Sequence, residues 1–459
     1  MQNNTSTTKM NTASSINARS AALAVLCEVF NGGAYANIAV NKYLRGLKPG
    51  QLSDMDRRLM TELVYTTVKA KGTIDWYLKK CVTRPLKKID KPVLAVLRLS
   101  ACQLLYMSKI PPSAACNEAV KLARSVSHEG SAKFVNGVLR SLLRQRDEWQ
   151  FPDRAKDEAG YLALAYYHPR WLVKKWLKQF GSEATEQLLK FDNAPATVTL
   201  RANTLVMSRD ELVGRLRELG AVCEPSKWCG DGVVCEKLPG LEVLFKKLHR
   251  AFYVQDESSM LVGSVMQPQP GETIIDMCSA PGGKTTHLAQ LMENKGVIYA
   301  GDIHEHKIGL INENAKRLGI NIIKAQVQDA AQCNEEWLNS ADRVLVDAPC
   351  SGLGVLRRRA EARWRKQKED LKVFPPLQLA ILNNAARYVK PGGMLVYSTC
   401  TIEQAENHYL VREFLEANEN FAYAGFQHPL TGEAIDELQL VPWVDGIDGF
   451  YICVLRRVK

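Results

Sequence analysis

The sequence of 459 residues predicts a multidomain protein with an all-α N-terminal domain, a small α+β linker domain and a C-terminal α/β domain with a doubly wound, Rossmann-like sheet. Three observations predict this order. Apolar residues recur at helical spacing from Asn17 to about Gln150, the pattern changes near Gly160, and apolar strands alternate with helices after Ala251. A chain of this length exceeds one hydrophobic core, so several domains are expected.

The N-terminal domain is predicted over residues 17–157 from five segments with apolar residues three and four positions apart. These segments are SAALAVLCEVF, DRRLMTELVYTTVKA, PVLAVLRLSACQLLYM, PPSAACNEAVKLARSV and SAKFVNGVLRSLLRQ. Residues 1–16 are polar, lack the apolar core of a secretory signal and predict a disordered tail. We therefore expect a cytoplasmic protein whose twelve cysteines stay reduced.

The net charge of +11 is concentrated in the N-terminal third of the chain. Residues 1–160 carry 25 Lys and Arg against 13 Asp and Glu, whereas residues 161–459 carry 35 against 36. A local positive excess indicates a polyanionic partner, most simply nucleic acid, with a solvated basic face as the alternative. No apolar run approaches the roughly 18 residues that span a membrane. The eight histidines form no paired-ligand pattern, so we expect no metal.

The linker domain is predicted over residues 158–250, where shorter elements replace the long helices. TVTLRANTL alternates as a strand does, SRDELVGRLRELG has the composition of a capped helix that ends at Gly220, and AVCEPS predicts a second strand. A small α+β domain follows from this alternation.

The C-terminal domain, residues 251–459, has five apolar strand segments separated by helices, which predict a parallel, doubly wound sheet. The segments are ETIIDMC, GVIYAGD, NIIKAQV, DRVLVDAP and GGMLVYSTC. Asp276, Asp302, Asp329 and Asp347 fall at strand ends, where ligands bind in open α/β sheets. Any one of them alone is more often a turn or N-cap residue.

The loop CSAPGGK, after the first of these strands, predicts a ligand-binding turn. Its glycine pair lets a ligand approach the backbone, and the following helix offers free N–H groups. The loop is neither a P-loop nor GxGxxG, so alone it is a weak signal. Asp302 lies nineteen residues beyond Gly283, the spacing at which a doubly wound fold places a carboxylate on a ribose. Together these features predict a nucleoside cofactor.

Two cysteines follow apolar strands: Cys350 in VLVDAPCSG and Cys400 in LVYSTCTIE. Helix starts close behind them favour thiolate. Two buried thiols or a redox pair are the plainer alternatives. With Asp347 nearby, however, the set of thiolate, carboxylate and nucleoside cofactor suits methylation of pyrimidine carbon 5. That carbon becomes a nucleophile only after a thiolate adds to carbon 6.

Four segments resemble successive motifs of the Sun/NOL1/NOP2 family of RNA cytosine-5 methyltransferases: DMCSAPGGKTTH, DRVLVDAPCSGLGVLRR, LVYSTCTIEQAEN and DGFYICVL. The resemblance implies that Cys400 is the nucleophile and that Cys350 aids product release. It implies S-adenosylmethionine as cofactor, with Asp302 on the ribose, Asp329 near the adenine and Asp347 between cofactor and target base. The cofactor loop implied by the resemblance consists of Cys278, Ser279, Ala280, Pro281, Gly282, Gly283 and Lys284.

The resemblance extends upstream through YYHPRWLVKKW, LRANTL and VQDESSML, and FVNGVLRSLLR is similar to part of a NusB-type RNA-binding module. This combination is typical of bacterial 16S rRNA methyltransferases. It implies that residues 17–157 are NusB-like, that residues 158–250 also bind RNA and that residues 251–459 are the methyltransferase domain. We expect a monomer that acts on naked or early-assembly 16S rRNA. The sequence departs from the family at Ala360-Glu361 and at Gln404-Ala405.

Several alternatives stay open at this stage. Arg357 and Arg358 are predicted to contact RNA phosphates, with a solvated face as the alternative. Cys350 is the alternative nucleophile, as in DNA cytosine methyltransferases, and Lys284 either orients Asp347 or forms a plain salt bridge. The substrate is alternatively tRNA. A protein of another class, a non-catalytic RNA-binding assembly or antitermination factor, also accounts for the NusB-like third.

Overall fold

A computed structural model describes residues 16–459, and the chain divides into two compact units. The first unit holds the chain up to Ala194 together with Leu356–Lys366, and the second holds Pro195–Val355 and Gln367–Lys459. The predicted disordered tail, residues 1–16, lies outside the described residues except for Ile16. The domain boundaries given above stay predictions. None of the described helices is long and apolar enough to cross a membrane.

The first unit is helical, and the five predicted segments form its helices α1, α3, α5, α6 and α7. The sequence did not predict α2, α4, α8 or α9, and α2 and α4 bury only three residues each, which makes their apolar pattern short. The helices are α1 (Ala18–Asn31), α2 (Ala36–Arg45), α3 (Asp54–Lys69), α4 (Lys71–Cys81), α5 (Lys91–Tyr106), α6 (Pro112–Val126), α7 (Glu129–Gln145), α8 (Glu158–Ala165) and α9 (Arg170–Asn193).

Helix α5 is the centre of this unit. It is buried on nearly all sides and packs against α1, α3, α4, α6 and α7. A helix that is apolar all round belongs in a core, whereas its neighbours keep one polar face toward solvent. Local signals set the helix starts: the Asn17 side chain accepts from Arg19 N and Ser20 N, and Pro92 lies in the first turn of α5.

A small antiparallel sheet begins the second unit, with strand order β2-β3-β1-β4. The predicted strand, capped helix and second strand are all present, and Ser208 forms the predicted cap, in a capping box with Glu211. The sequence did not predict β3, α11 or β4. The elements are β1 (Val198–Ala202), α10 (Arg209–Glu218), β2 (Val222–Pro225), β3 (Gly232–Lys237), α11 (Leu241–Lys247) and β4 (Phe252–Val254).

The larger sheet of the second unit has strand order β10-β14-β9-β8-β5-β6-β7, with β13 paired to β14. Its strands are β5 (Thr273–Asp276), β6 (Val297–Asp302), β7 (Ile323–Val327), β8 (Ala341–Asp347), β9 (Val389–Thr399), β10 (Phe421–Tyr423), β13 (Glu437–Leu440) and β14 (Phe450–Arg457). A separate two-stranded sheet pairs β11 (Phe426–Gln427) with β12 (Ala434–Ile435). The helices are α12 (Glu257–Met266), α13 (Gly283–Leu291), α14 (Glu305–Leu318), α15 (Ala362–Arg365, in the first unit), α16 (Phe374–Ala386), α17 (His408–Ala417) and α18 (Pro442–Asp445).

The five predicted strands form the parallel part of this sheet, β7-β6-β5-β8-β9. The sheet also has an antiparallel edge that the sequence did not predict, because β14 runs antiparallel to β9 and to β10 and β13. An antiparallel strand needs no crossover helix, so the segment DGFYICVL joins the edge directly. The chain order reverses between β5 and β8, which makes that edge the switch point of the sheet.

Both faces of the parallel strands are buried, which explains their continuous apolar runs. Ile275 and Val344 belong to the core on one face, while Ile274, Leu345 and Val396 belong to the core on the other. Neighbouring residues of a strand point to opposite faces, so each strand contributes to both cores. The sheet is thereby a rigid platform for the loops at its carboxyl edge.

The segment Leu356–Lys366 belongs to the first unit, where three consecutive side chains meet the C-terminal ends of three helices. Arg363 donates to Asp192 O at 3.0 Å in α9, and Trp364 Nε1 donates to Val68 O at 2.8 Å in α3. Arg365 donates to Val29 O at 3.2 Å in α1. The last carbonyls of a helix have no partner within it, so this segment caps all three.

Candidate active site at the carboxyl edge of the larger sheet

The two predicted cysteines lie together at the carboxyl edge. Strands β8 and β9 are parallel neighbours with Asp347 opposite Ser398, so the loops that follow them leave the sheet side by side. The Sγ atoms of Cys350 and Cys400 are 3.2 Å apart. This spacing lets one thiol donate to the other sulfur, and both can reach one substrate atom.

Hydrogen bonds join the two cysteine loops. The hydroxyl groups of Ser351 and Thr401, each directly after a cysteine, are 2.7 Å apart, and Gly354 N donates to Cys400 O at 3.1 Å. Gly449 N in turn donates to Gly354 O at 2.9 Å. A Cβ at Gly354 would come within 2.1 Å of Gly449 O, so the backbones approach too closely for any other residue at that position.

The Glu406 side chain holds the loop that contains Pro349 and Cys350. Its Oε2 accepts from Ser351 N at 2.9 Å and from Gln378 Nε2 at 2.9 Å. The same Gln378 amide donates to Pro349 O at 2.9 Å. Hydrogen bonds to the residues on both sides of Cys350 therefore hold it in place. Sequence reasoning missed this function of Glu406 and Gln378, because nothing in their local pattern shows which loop they face.

The protonation of Cys350 differs from that of an ordinary thiol. Its hydrogen bond with Cys400, together with burial, raises the pKa of Cys350 well above its usual value. Cys350 therefore stays a protonated thiol at neutral pH, able to donate to the Cys400 sulfur. The 3.2 Å contact between the two sulfurs allows either thiol to be the donor, and a protonated Cys350 can donate to Cys400.

A partly buried ion pair lies beside the thiols. Lys284 Nζ lies 2.7 Å from Asp347 Oδ2, and Asp347 Oδ1 accepts from Ser398 Oγ at 2.9 Å. Burial alone would lower the pKa of Lys284, but the Asp347 carboxylate outweighs it and raises that pKa, with a smaller contribution from Cys400. Lys284 therefore stays a cation, and its positive charge acts on Cys400. Of the alternatives for Lys284, the salt bridge with Asp347 is present, and an orienting role toward Asp347 or the loop of Cys400 stays a prediction.

The loop from Cys278 to Lys284 connects β5 to α13, as predicted. Ser279 N and Oγ both donate to Gly301 O, at 2.9 and 2.8 Å, and Asn314 donates to Pro281 O at 3.0 Å. Gly282, at φ 98°, precedes α13 without a side-chain cap. The first N–H groups of α13 are thus directed at any anionic group in the loop. Ala280 lies between Ser279 and Pro281 on the same turn.

This loop fits a polar cofactor. Asp276, at the end of β5, is buried, and its Oδ2 accepts from Thr285 Oγ1 at 2.7 Å. Its Oδ1 has no hydrogen-bond partner among residues 16–459. A buried polar atom without a partner indicates a missing one. Burial raises the pKa of Asp276 to about 7.

The remaining predicted cofactor residues lie along the same edge. Asp302 is the last residue of β6, and its Oδ1 accepts from His304 N at 3.0 Å and lies 3.5 Å from Lys307 Nζ. The sequence predicted Asp329 at the end of β7. Asp329 instead follows the last residue of β7 by two positions, and its Oδ1 accepts from Ala331 N at 3.0 Å. It thus forms a turn of the type that aspartate favours.

Arg357 and Arg358 belong to the first unit, unlike the other predicted site residues. The Arg357 guanidinium lies 4.2 Å from the ring centroid of Phe191 in α9. Such stacking is a structural use of arginine.

The two departures from the family pattern have different surroundings. Ala360 and Glu361 are buried in the first unit, in the segment that caps three helices. Gln404 and Ala405 are exposed, whereas the next residues, Glu406 and Asn407, are buried. The departure after Cys400 thus spares the residues that contact the cysteine loops. Within residues 16–459, no three His, Cys, Asp or Glu side chains are grouped as metal ligands would be.

Three family models match successive parts of the chain. Residues 16–144 match the NusB family, residues 168–239 match the ferredoxin-like domain of RsmF/B-like methyltransferases, and residues 263–456 match 16S rRNA methyltransferase RsmB/F. The predicted fold class is confirmed: an all-α NusB-like domain, a small α+β domain and a methyltransferase domain with a doubly wound sheet.

Curated relatives match nearly the whole chain. A protein of Bacillus subtilis (strain 168), described as probable ribosomal RNA small subunit methyltransferase B, is 39% identical over 96% of this chain and 98% of its own. A Synechocystis protein with the same description is 35% identical over 96% of this chain and 100% of its own. The ribosomal RNA small subunit methyltransferase B of Klebsiella pneumoniae is 33% identical over 89% of this chain and 91% of its own.

Solved structures resemble the fold. The crystal structure of PH0851 has a TM-score of 0.83 at 28% identity and covers 96% of this chain and 99% of that one. NSun6 from Pyrococcus horikoshii, solved with SFG, has a TM-score of 0.55 at 25% identity and covers 63% of this chain and 98% of that one.

Proposed function

Because this chain belongs to the family of ribosomal RNA small subunit methyltransferase B and is a methyltransferase, we propose that it methylates carbon 5 of a cytosine in 16S rRNA, with S-adenosylmethionine as cofactor. The observation that carries the proposal is the pair of cysteines with Sγ atoms 3.2 Å apart, beside the Lys284–Asp347 ion pair. Methylation of a nitrogen or of a ribose hydroxyl needs no thiol, whereas carbon 5 of a pyrimidine does.

The cofactor residues are those at the carboxyl edge. The loop Cys278–Lys284 and the start of α13 would bind the amino-acid part of S-adenosylmethionine, Asp302 would bind the ribose, and Asp329 would lie near the adenine. The cofactor supplies a methyl group on a sulfonium centre. NSun6, a relative at 25% identity, was solved with SFG, which supports a ligand in this fold.

Cys400 is the nucleophile in this proposal. Its thiolate adds to cytosine carbon 6 and the electron pair moves to carbon 5, while N3 takes up a proton from solvent and donates it in a hydrogen bond to the Asp347 carboxylate. Two groups favour the Cys400 thiolate: the Lys284 cation, and the S–H of Cys350 at 3.2 Å. The reverse assignment would require Cys350 to ionise, against its raised pKa.

Cys350 serves in product release. Once carbon 5 carries the methyl group, its remaining proton must leave to a base, so that the bond between carbon 6 and Cys400 breaks and the aromatic ring is restored. In the release step the Cys350 thiol donates its proton to the departing Cys400 sulfur and takes up the proton that leaves carbon 5, so that both cysteines end as thiols. The hydrogen bonds from Glu406 and Gln378 hold the loop of Cys350 in place for that transfer.

The substrate must offer an unstacked cytosine, since a base inside a helix cannot reach Cys400. Naked or early-assembly 16S rRNA in the cytoplasm suits this requirement, and we propose that a monomer acts on it. We also propose that Arg357 and Arg358 contact RNA phosphates. The domain boundaries at residues 157 and 250 belong to the proposal as well.

The test uses the Cys350→Ala protein, protein-free 16S rRNA and S-adenosylmethionine. A protein that cannot release its product should accumulate a protein–RNA adduct that survives denaturant. The adduct is measured by its shift on a denaturing gel, with radiolabelled methyl groups to show that carbon 5 has reacted.

The matched control is the double variant Cys350→Ala/Cys400→Ala, which should form no adduct. If the adduct forms in the double variant, Cys400 is not the nucleophile. An adduct in Cys400→Ala alone would reassign the nucleophile to Cys350. Methyl transfer by the wild-type protein to tRNA, with none to 16S rRNA, would overturn the substrate.

A further inference from the structure

A cationic cavity in the second unit shares no residue with the site described above. It has a volume of about 490 Å³. Its lining includes one carboxylate, Glu313, and a larger number of basic side chains; the full lining is His249, Arg250, Glu313, Lys316, Arg317 and Gly319. This set is called the basic cavity below.

The basic cavity is built by two chain segments that are tied together. The buried side chain of Asn203 donates to Arg250 O at 2.8 Å and to Leu318 O at 3.0 Å. Arg317 donates to His249 O and to Phe252 O, both at 2.9 Å. Asn203 comes from the motif LRANTL, for which the proposed chemistry has no use. Its contacts hold the end of α14 against the segment before β4.

Glu313 balances only part of the positive charge of the basic cavity. Neither Arg250 nor Lys316 has a carboxylate within 4.0 Å in the part of the chain that the structure describes, and both side chains are exposed. Gly319, at φ 77°, makes room for the Arg250 guanidinium over the end of α14.

We propose that the basic cavity binds the phosphodiester backbone of the substrate RNA. Exposed cations on long side chains suit a polyanion, whereas a dedicated small-anion site uses buried N–H donors. Residues 161–459 carry 35 Lys and Arg against 36 Asp and Glu, so the excess is local. In the same helix, Asn314 donates to Pro281 O of the cofactor loop, so α14 links the cavity to that loop. The inference rests on the proposed function only in taking RNA as the substrate.

The test measures binding of protein-free 16S rRNA by Arg250→Gln/Lys316→Gln without cofactor, over a series of salt concentrations. Loss of two phosphate contacts should weaken binding on the order of tenfold and reduce the slope of log affinity against log salt by about 1.4. The single variant Lys316→Gln, changed only at an exposed helix position, should show about half that slope change, about 0.7. Thermal unfolding checks that each variant is folded.

The control Arg387→Gln/Lys459→Gln removes the same charge elsewhere in the second unit and should keep the wild-type slope. Equal slopes for wild type and both double variants would overturn the inference. Calorimetry with inorganic phosphate separates the two sources of phosphate: binding of phosphate lost in Arg250→Gln/Lys316→Gln, with RNA affinity unchanged, would assign the cavity to a free anion and also overturn it. Since no methyl transfer is measured, failure of the proposed chemistry leaves this result standing.

Discussion

Asp276 is a single carboxyl group whose protonation is linked to the stability of the second unit. Burial raises its pKa from the model-peptide value of 3.8 to about 7. Between these two values the folded protein keeps the proton and the unfolded chain loses it. Stability contributed by this group is therefore lost as pH rises through that window.

We expect Asp276→Asn to remove this pH dependence, because an amide does not ionise. From pH 5 to pH 8, the stability of the wild-type protein relative to the variant should fall by about 3 kcal/mol. Urea unfolding at several pH values measures the difference. A constant difference across that range would show that Asp276 is ionised in the folded protein.

Glu406 acts through Cys350 and is a positioning residue. Glu406→Ala leaves Ser351 N without its acceptor and removes one of the two acceptors of the Gln378 amide, so the loop of Cys350 loosens. We expect slower release of the methylated RNA, by about 10²-fold, with an unchanged KM for S-adenosylmethionine. Accumulated protein–RNA adduct on a denaturing gel would separate this effect from a general loss of fold. Gln404→Ala, at an exposed position, is the matched control and should release product normally.

At the scale of elements, the segment Leu356–Lys366 stabilises the first unit from a distant part of the sequence. Arg363 is fully buried and bonds to Tyr167 O, Asp192 O and the side chain of Asn193. Its charge is placed at the C-terminal end of α9, where the helix dipole favours a cation. Trp364 packs so closely on Gly72 that a Cβ there would overlap its ring.

Arg363→Met should destabilise the first unit by about 3 kcal/mol, because three acceptors lose a charged donor inside the protein. Hydrogen exchange of α9 amides, or urea unfolding followed in that unit, measures the loss. Arg359→Met, at an exposed position of the same segment, should change stability by less than about 0.5 kcal/mol. Equal effects of the two substitutions would contradict the capping function.

On the scale of the whole molecule, charge is segregated along the chain. The first 160 residues hold 25 Lys and Arg against 13 Asp and Glu, so RNA affinity should depend steeply on salt. We expect RNA affinity to fall by at least about 10²-fold from 50 to 200 mM salt. Affinity for S-adenosylmethionine should change little, because the Lys284–Asp347 pair in its site is largely buried. Parallel titrations of RNA and cofactor test both statements.

The sequence by itself determined the helical first third, the five parallel strands and the candidate cysteines. These features depend on local periodicity and on the residues that follow each strand, so Cys350, Cys400 and the loop Cys278–Lys284 were identified from the chain alone. It also indicated a capped helix at Ser208, since a capping box involves residues only three positions apart.

Only the tertiary structure decided which distant groups meet. The contacts of Glu406 with Ser351, of Arg363 with α9 and of Asn203 with Arg250 and Leu318 join residues 47 to 171 positions apart. The antiparallel direction of β14 likewise follows from pairing with β9 rather than from its own apolar pattern. Periodicity records which face of an element is buried, but the partner of a buried polar group depends on how the chain folds back.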